Sequence, residues 1–252
     1  MTGKLAIRLG RVVVILLALF LLEGIVRAGA VSRLILSPPS TVAVKAWEDI
    51  RSGELGAHLA VTALEFSVGF VIALVLGAAL GTLFFRFRVV GAAVEPLLLA
   101  FFAAPTILLY PVFVTLFGLG SSAIISMAVV TGTIPIIVNV SAGLMGVDRI
   151  FVKAGRSLLA TPWQLFWKVM LPAATPTVFA GIRMGFTYTF ISVIAVEFLL
   201  FSGGLGRLVS WRYFVFDTEG LYAGVAMVIV IAALVNSLVR LAEERVRVRH
   251  TL

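Results

Sequence analysis

Long apolar runs separated by short polar or charged stretches set the pattern of this chain. The first covers about 11–30, from Arg11 through an unbroken Val12–Leu22 run. The second covers about 58–85 and stops before Arg86 and Arg88; the third, about 92–117, carries Pro96, Pro105 and Pro111. Three more follow at about 122–145, 174–200 and 221–240. Each reaches the ~20 residues that an α-helix needs to cross a hydrocarbon layer. The pattern therefore predicts six spanning helices. Two connecting stretches are longer. In 31–57, Ser37-Pro38-Pro39-Ser40 precedes a mildly amphipathic run to Ile50, which reads as a turn and a short helix on the outer surface. The other is 146–172, on the opposite side. Lys4, Arg8 and Arg11 before the first run, with Ala28-Gly29-Ala30 after it, imitate a cleaved signal. The length of the run and the five spans behind it favour a retained helix.

Composition narrows the class. The 252 residues are 61% apolar and 13% charged, with a mean hydropathy of +1.14. A soluble domain averages ~45–50% and ~25%, so a water-soluble globular enzyme is excluded. The net charge of +8 would suggest nucleic acid in a soluble protein, but its distribution points to a membrane. With the N-terminus inside, the inner segments hold thirteen basic residues: Lys4, Arg8, Arg11, Arg86, Arg88, Arg149, Lys153, Arg156, Lys168, Arg240, Arg245, Arg247 and Arg249. The outer segments hold five: Arg33, Lys45, Arg51, Arg207 and Arg212. This positive-inside bias puts both termini in the cytoplasm. There is no cysteine, hence no disulfide, thiolate metal site or thiol nucleophile, and His58 and His250 lack metal-ligand spacing.

The stretch 149–185 carries the most information. Phe151–Leu159 has a short helical pattern. Thr161-Pro162 suits a helix start, with Thr161 as the capping residue and Pro162 at the first helical position. Leu171-Pro172 is expected to end that helix. Its apolar side must lie against a membrane surface or a groove on a partner protein. The stretch resembles the cytoplasmic EAA loop of bacterial ABC importer permeases, EAA-x3-G-x9-I-x-LP. Aligned on Leu171-Pro172, the EAA falls on Lys153-Ala154-Gly155, the glycine on Leu159 and the isoleucine on Val169. The following LPAATPTVFAGIRMG is similar to the same permeases.

The likeness extends along the chain to permeases for nitrate, sulfonate and taurine. It is carried by Leu36–Val42, Gly69-Phe70, Glu95-Pro96, Phe117-Gly118-Leu119-Gly120, Asn139 with Ala142-Gly143-Leu144, and Glu197 with Ser202–Gly206. Three positions depart from the pattern: Lys153 where Glu is usual, Leu159 where Gly or another small residue is usual, and Glu65 where Arg is usual. Glu65 is read as the one persuasive buried acid of the spans, with a partner the sequence does not name.

The resemblance implies an all-α polytopic membrane protein with the type I ABC importer permease fold, in the bacterial cytoplasmic (inner) membrane. It implies partners: ABC ATPase subunits, a second permease subunit as homodimer or heterodimer, and an extracytoplasmic substrate-binding protein. It implies no nucleic acid, and ATP with Mg in the ATPase rather than here. The chain has no GxxxxGK[ST] loop. The helix over 151–170 would dock into the ATPase as a lever. Ala154, Gly155 and Ala160 would permit close approach, Leu158, Leu159, Trp163 and Phe166 apolar contact, and Lys153, Arg156 and Lys168 polar anchors. The alternative is an amphipathic helix resting on lipid. Candidates for the solute path are Tyr110, Thr131, Thr133, Asn139, Tyr188 and Ser192, the last two expected on one helix face. The other reading of these polar residues is interhelical hydrogen bonding. Gly77-x-x-x-Gly81 and Gly181-x-x-x-Gly185 let helices approach closely, and Pro105, Pro111 and Pro135 should kink the third and fourth spans. The implied solute is small and polar: a sulfonate, taurine or nitrate-like anion, or a pyrimidine-type vitamin precursor. A self-sufficient secondary transporter or channel is the competing class; it would require inverted repeats and mid-span ionisable groups.

Overall fold

The computed structural model describes residues 2–32 and 34–249; side chains at 2–6, 8, 12 and 238–249 fall outside the description. His250, and the side chains of Lys4, Arg8, Arg33, Arg240, Arg245, Arg247 and Arg249, therefore lie outside the described residues. Among the described residues every regular element is helical. In chain order these are α1 (Thr2–Arg27), α2 (Pro39–Ser52), α3 (Glu54–Arg86), α4 (Arg88–Ala103), α5 (Tyr110–Phe117), α6 (Ser121–Met145), α7 (Arg149–Ser157), α8 (Pro162–Leu165), α9 (Leu171–Leu200), α10 (Gly204–Phe214) and α11 (Thr218–Arg249). Five helical stretches are long and apolar enough to cross a membrane among the described residues.

The sixth candidate is a broken pair. The third apolar run, expected as one kinked span, is α4 and a short 3₁₀ turn leading into α5, bent by 91°. Proline accounts for the break. Ala104 is extended, as a residue before proline prefers, and Pro105 offers no amide to continue the ladder. Pro111 does not kink a helix: it lies in the first turn of α5, where an amide would be unpaired anyway. Pro135 sits inside α6, which runs unbroken from Ser121 to Met145.

The bundle is built around α6, clasped between α3 and α9. Every fourth residue of the α3 contact stripe is small: Gly69, Ala73, Gly77 and Gly81 are all buried. A Cβ on Gly77 would lie 2.6 Å from Ile136 Cβ, and one on Gly81 2.7 Å from Val140 Cβ. On the other side, a Cβ on Gly185 would lie 2.7 Å from the Gly132 carbonyl oxygen, and Gly181 faces Asn139. Both small-residue motifs are thus occupied within the chain, where close backbones gain dispersion contact that lipid cannot offer. Phe66 and Phe70 on α3 pack edge-to-face on Phe186, at 4.7 and 5.1 Å between centroids, and join α3 to α9 directly.

This packing makes a prediction. Gly185→Leu must push backbone as well as side chains apart, and overpacking of that kind costs on the order of 1–3 kcal/mol. The melting temperature of the detergent-solubilised protein should fall. Gly56→Ala, where an added methyl meets nothing within 4 Å, should leave it unchanged. Equal melting for both variants would count against the clasp.

At one end of the bundle, α2 packs on α11 and α3. Arg212 on α10 forms a two-pronged pair with Asp49 on α2, at 2.7 and 2.8 Å, and also donates to the Gly220 carbonyl. Burial opposes the Arg212 charge. The hydrogen bond and charge of Asp49, with the charges of Glu54 and Asp217, more than offset it and hold the guanidinium above its ordinary range. Tyr222 Oη donates to the Ile35 carbonyl and fixes the 31–37 turn to α11. The expectation of Glu65 as the one buried acid is corrected: Asp49, Glu65 and Glu197 are all buried.

Candidate functional site

The 146–172 segment folds as two short helices meeting at a corner. Asp148 starts α7 by accepting from the Ile150 amide at 2.8 Å. The far end of α7 closes with paired backbone bonds: Ala160 N–H donates to Gly155 O and Leu159 N–H to Arg156 O. This motif requires a left-handed residue at its centre, and Leu159 occupies it with φ +57°. Such a position favours glycine, the residue the resemblance led one to expect there. The next helix starts with a reciprocal cap, Thr161 Oγ1 accepting from Gln164 N–H and Gln164 Oε1 from Thr161 N–H.

The helix then does not stop at Leu171-Pro172, which corrects the sequence expectation. Residues Phe166–Met170 form a π-turn, in which Leu171 N–H donates five residues back to Phe166 O. The wide turn makes room for a proline ring that an α-helical turn would drive into a carbonyl. The chain therefore continues without a break from Pro162 to Leu200. A single lever helix over 151–170 is replaced by a corner, with α7 on one side and the foot of a spanning helix on the other.

The corner divides the predicted docking residues in two. Gly155 points inward: a Cβ there would lie 2.7 Å from Leu165 Cδ1. Phe166 is half-buried and packs on the cluster of Ile136, Val140, Leu144 and Ala174. These two hold the corner to the bundle and do not form its outer surface. Ala160 is half-buried, while Lys153, Ala154, Arg156 and Lys168 are exposed. Leu158 and Leu159 stand at the tip with 83% and 90% of their surface exposed, next to Trp163 at 71%. Ile150, Phe151 and Trp167 are also exposed, and the sequence reading missed them. The Trp163 and Trp167 rings lie 5.4 Å apart, a neighbouring legible in the i, i+4 spacing. The result is a protruding apolar tip rimmed by Arg149, Lys153, Arg156 and Lys168. Exposed apolar patches rimmed by charge are the kind of surface that protein–protein or membrane contacts cover.

The predicted path residues are dispersed. Thr131 Oγ1 donates to Met127 O, Thr133 Oγ1 to Val129 O and Asn139 Nδ2 to Pro135 O, each four residues back on α6. The two threonine hydroxyls are thus engaged on their own helix, while Asn139 Nδ2 also reaches Met184 Sδ on α9 at 3.9 Å. Tyr110 is half-buried against the cluster of Ile124, Met127 and Val196. Tyr188 and Ser192 do not share an open face. Tyr188 is exposed and edges onto Phe102 at 4.6 Å, whereas Ser192 is buried with its hydroxyl unpartnered. Tyr188 and Phe102 meet beside the bend between α4 and α5, an exposed aromatic level where the backbone is irregular. Among the described residues no group of three or more histidine or carboxylate side chains could hold a metal.

Residues 69–248 match the family model for the binding-protein-dependent transport system inner membrane component. The taurine transport system permease protein of Escherichia coli (strain K12) is 25% identical over 225 residues, 87% of this chain and 82% of that protein. The formylaminopyrimidine transport permease protein of Halalkalibacterium halodurans is 31% identical over 175 residues, 69% of this chain and 70% of that protein. A solved structure of the MetNI methionine ABC transporter, in an inward facing conformation, matches with a TM-score of 0.60 at 22% identity. That match covers 75% of this chain and 92% of the other and speaks for a common fold.

Proposed function

The chain belongs to the binding-protein-dependent transport system inner membrane components, the multi-pass permease subunits of ABC importers rather than their ATPases, and we propose that it moves a small polar solute inward, driven by an ATPase docked at the 158–167 corner. The observation that carries this is the exposed apolar tip at Leu158 and Leu159. Two leucines held this far into solvent by a specific backbone turn gain nothing for the fold. They become favourable when a partner's groove removes them from water. Trp163 and Trp167 widen the contact, and Lys153, Arg156 and Lys168 suit an acidic rim. Because α8, the π-turn and α9 are one continuous helix, a push on the corner travels straight into the membrane as a rigid-body motion.

Mg and ATP are assigned to that ATPase. The solute is a sulfonate, taurine or nitrate-like anion, or a pyrimidine-type vitamin precursor, supported by the names of the taurine and formylaminopyrimidine relatives. It is delivered by an extracytoplasmic binding protein. Tyr188, exposed beside the α4–α5 bend, is the path residue this reading puts first. A second permease subunit, identical or different, completes the complex in this reading.

The test is co-purification followed by transport. Tagged protein drawn from native membranes should bring down an ATPase subunit. Proteoliposomes of that complex with its binding protein should take up labelled taurine, ethanesulfonate, nitrate or a formylaminopyrimidine only when ATP is supplied. Uptake by this chain alone, without ATPase or nucleotide, would instead establish a self-sufficient transporter.

A further inference from the structure

The end of the bundle opposite the 158–167 corner holds a cleft of about 380 Å³ between α1, α2 and α11. Small-ligand sites span ~300–1,000 Å³. Two cations and two carboxylates face this one: Arg27 from the last turn of α1, Lys45 and Glu48 from α2, and Glu219 from the first turn of α11. The junction of α1 with α2 at the cleft is fixed by polar contacts. The Ser40 N–H and hydroxyl both donate to the Glu23 carboxylate, at 3.0 and 2.7 Å, and Arg27 donates to Glu23 and Ser40.

The wall charges keep bonding capacity for a ligand. Arg27 spends Nε on Glu23 and one Nη2 proton on Ser40, and a guanidinium carries five N–H donors. Lys45 Nζ stands 3.8 Å from Glu48 and from Asp49, close enough for attraction and too far for a hydrogen bond. Glu48 and Glu219 are both exposed.

The level of the cleft says what kind of molecule fills it. Arg27 ends α1, whose stretch Leu9–Arg27 is long and apolar enough to cross a membrane. The charged wall therefore begins where α1 leaves hydrocarbon, at headgroup depth. On the same face of α1, one to three turns inward from Arg27, lie Leu16, Leu19 and Phe20, all exposed. A molecule seated in the cleft has water on one side and this apolar strip on the other. A free solute uses only the polar part, whereas a lipid uses both. Charge then selects the headgroup. An anionic headgroup would meet Arg27 and Lys45 but be repelled by Glu48 and Glu219. Phosphoethanolamine carries both signs. Its phosphate oxygens suit the Arg27 fork and Lys45, and its primary ammonium has N–H donors for the two carboxylates. Choline has the charge without the donors.

We propose that the α1–α2–α11 cleft binds a zwitterionic aminophospholipid, with the phosphate held by Arg27 and Lys45, the ammonium by Glu48 and Glu219, and the acyl chains along the apolar strip of α1. The lipid fastens α1, which buries almost none of its spanning stretch within the chain, to α2 and α11.

Thermal unfolding of the purified, delipidated full chain in detergent, with dioleoyl lipids added back, tests this. Phosphatidylethanolamine should raise the melting temperature by about 2–4 °C more than phosphatidylcholine or phosphatidylglycerol does. In the double variant Glu48→Gln with Glu219→Gln, its lead over phosphatidylcholine should vanish. Each lead is read within one protein, so a change in intrinsic stability cancels. Soluble O-phosphoethanolamine, which has the headgroup chemistry without the chains, should give little shift. Equal shifts by the three lipids would overturn the proposal, as would a lead for phosphatidylglycerol or a phosphatidylethanolamine lead that survives the double substitution. A full shift from O-phosphoethanolamine would overturn it too, in favour of a site for free solutes.

Discussion

Leu159→Asp is expected to abolish recovery of the ATPase with tagged permease while the chain still inserts in the membrane and purifies in normal amount. The two effects separate because of where the residue stands. Leu159 is 90% exposed, so its side chain contributes almost nothing to packing within the chain. Its left-handed backbone suits aspartate at least as well as leucine, since a short polar side chain tolerates that region. What changes is the tip. A carboxylate replaces an apolar group that must enter a dry groove, and its unpaired burial is strongly unfavourable. Complex recovery should fall at least ~10-fold, or about 1.4 kcal/mol of binding. Leu159→Gly sharpens the test. It relieves about 1–2 kcal/mol of left-handed strain and removes the side chain without adding charge. It should melt no lower than the wild type, yet recover less ATPase. Unchanged recovery in Leu159→Asp would favour a corner resting on lipid.

Arg212→Met should destabilise the protein by on the order of 3–5 kcal/mol, the usual consequence of removing one partner from a buried ion pair. The reason is the survivor. Asp49 has 1% exposure and would lose both strong hydrogen bonds. Lys45 lies 3.8 Å away and part-exposed, so it offsets only a fraction. The double variant Arg212→Met with Asp49→Leu, which removes both charges, should recover much of the loss. Thermal unfolding of the single and double variants gives the coupling. Additive losses would show that the pair does not act as a unit.

Particular residues show how far the chain could be read in advance. Thr161, Pro162 and Gln164 announce a helix start by local hydrogen bonding, and the cap forms as the spacing suggests. The apolar runs likewise carry their own message, because a long helix without water must satisfy its amides internally. Leu159 is intermediate. Its alignment with a glycine position hinted at an unusual backbone, but φ +57° belongs to a turn that only the paired bonds from Leu159 and Ala160 complete. Pro172 misled, since a proline preceded by leucine ends most helices, and the remedy, a widened turn, involves partners five residues away. Gly155 misled differently. Small size permits close approach but does not say to what, and here the neighbour is Leu165.

The long apolar helices and the capped helix start at Thr161 were therefore set by composition, periodicity and short-range capping, all properties of neighbouring residues. Which helix lies at the centre, where Tyr188 and Ser192 face, and that Thr62 meets Glu197 depend on contacts far apart in the chain. Thr62 and Glu197, 135 positions apart, are joined because the small residues of α3 and α9 close on α6 from opposite sides. Such closeness comes from interlocking shapes and the drive to pair buried polar groups, and no local pattern encodes it.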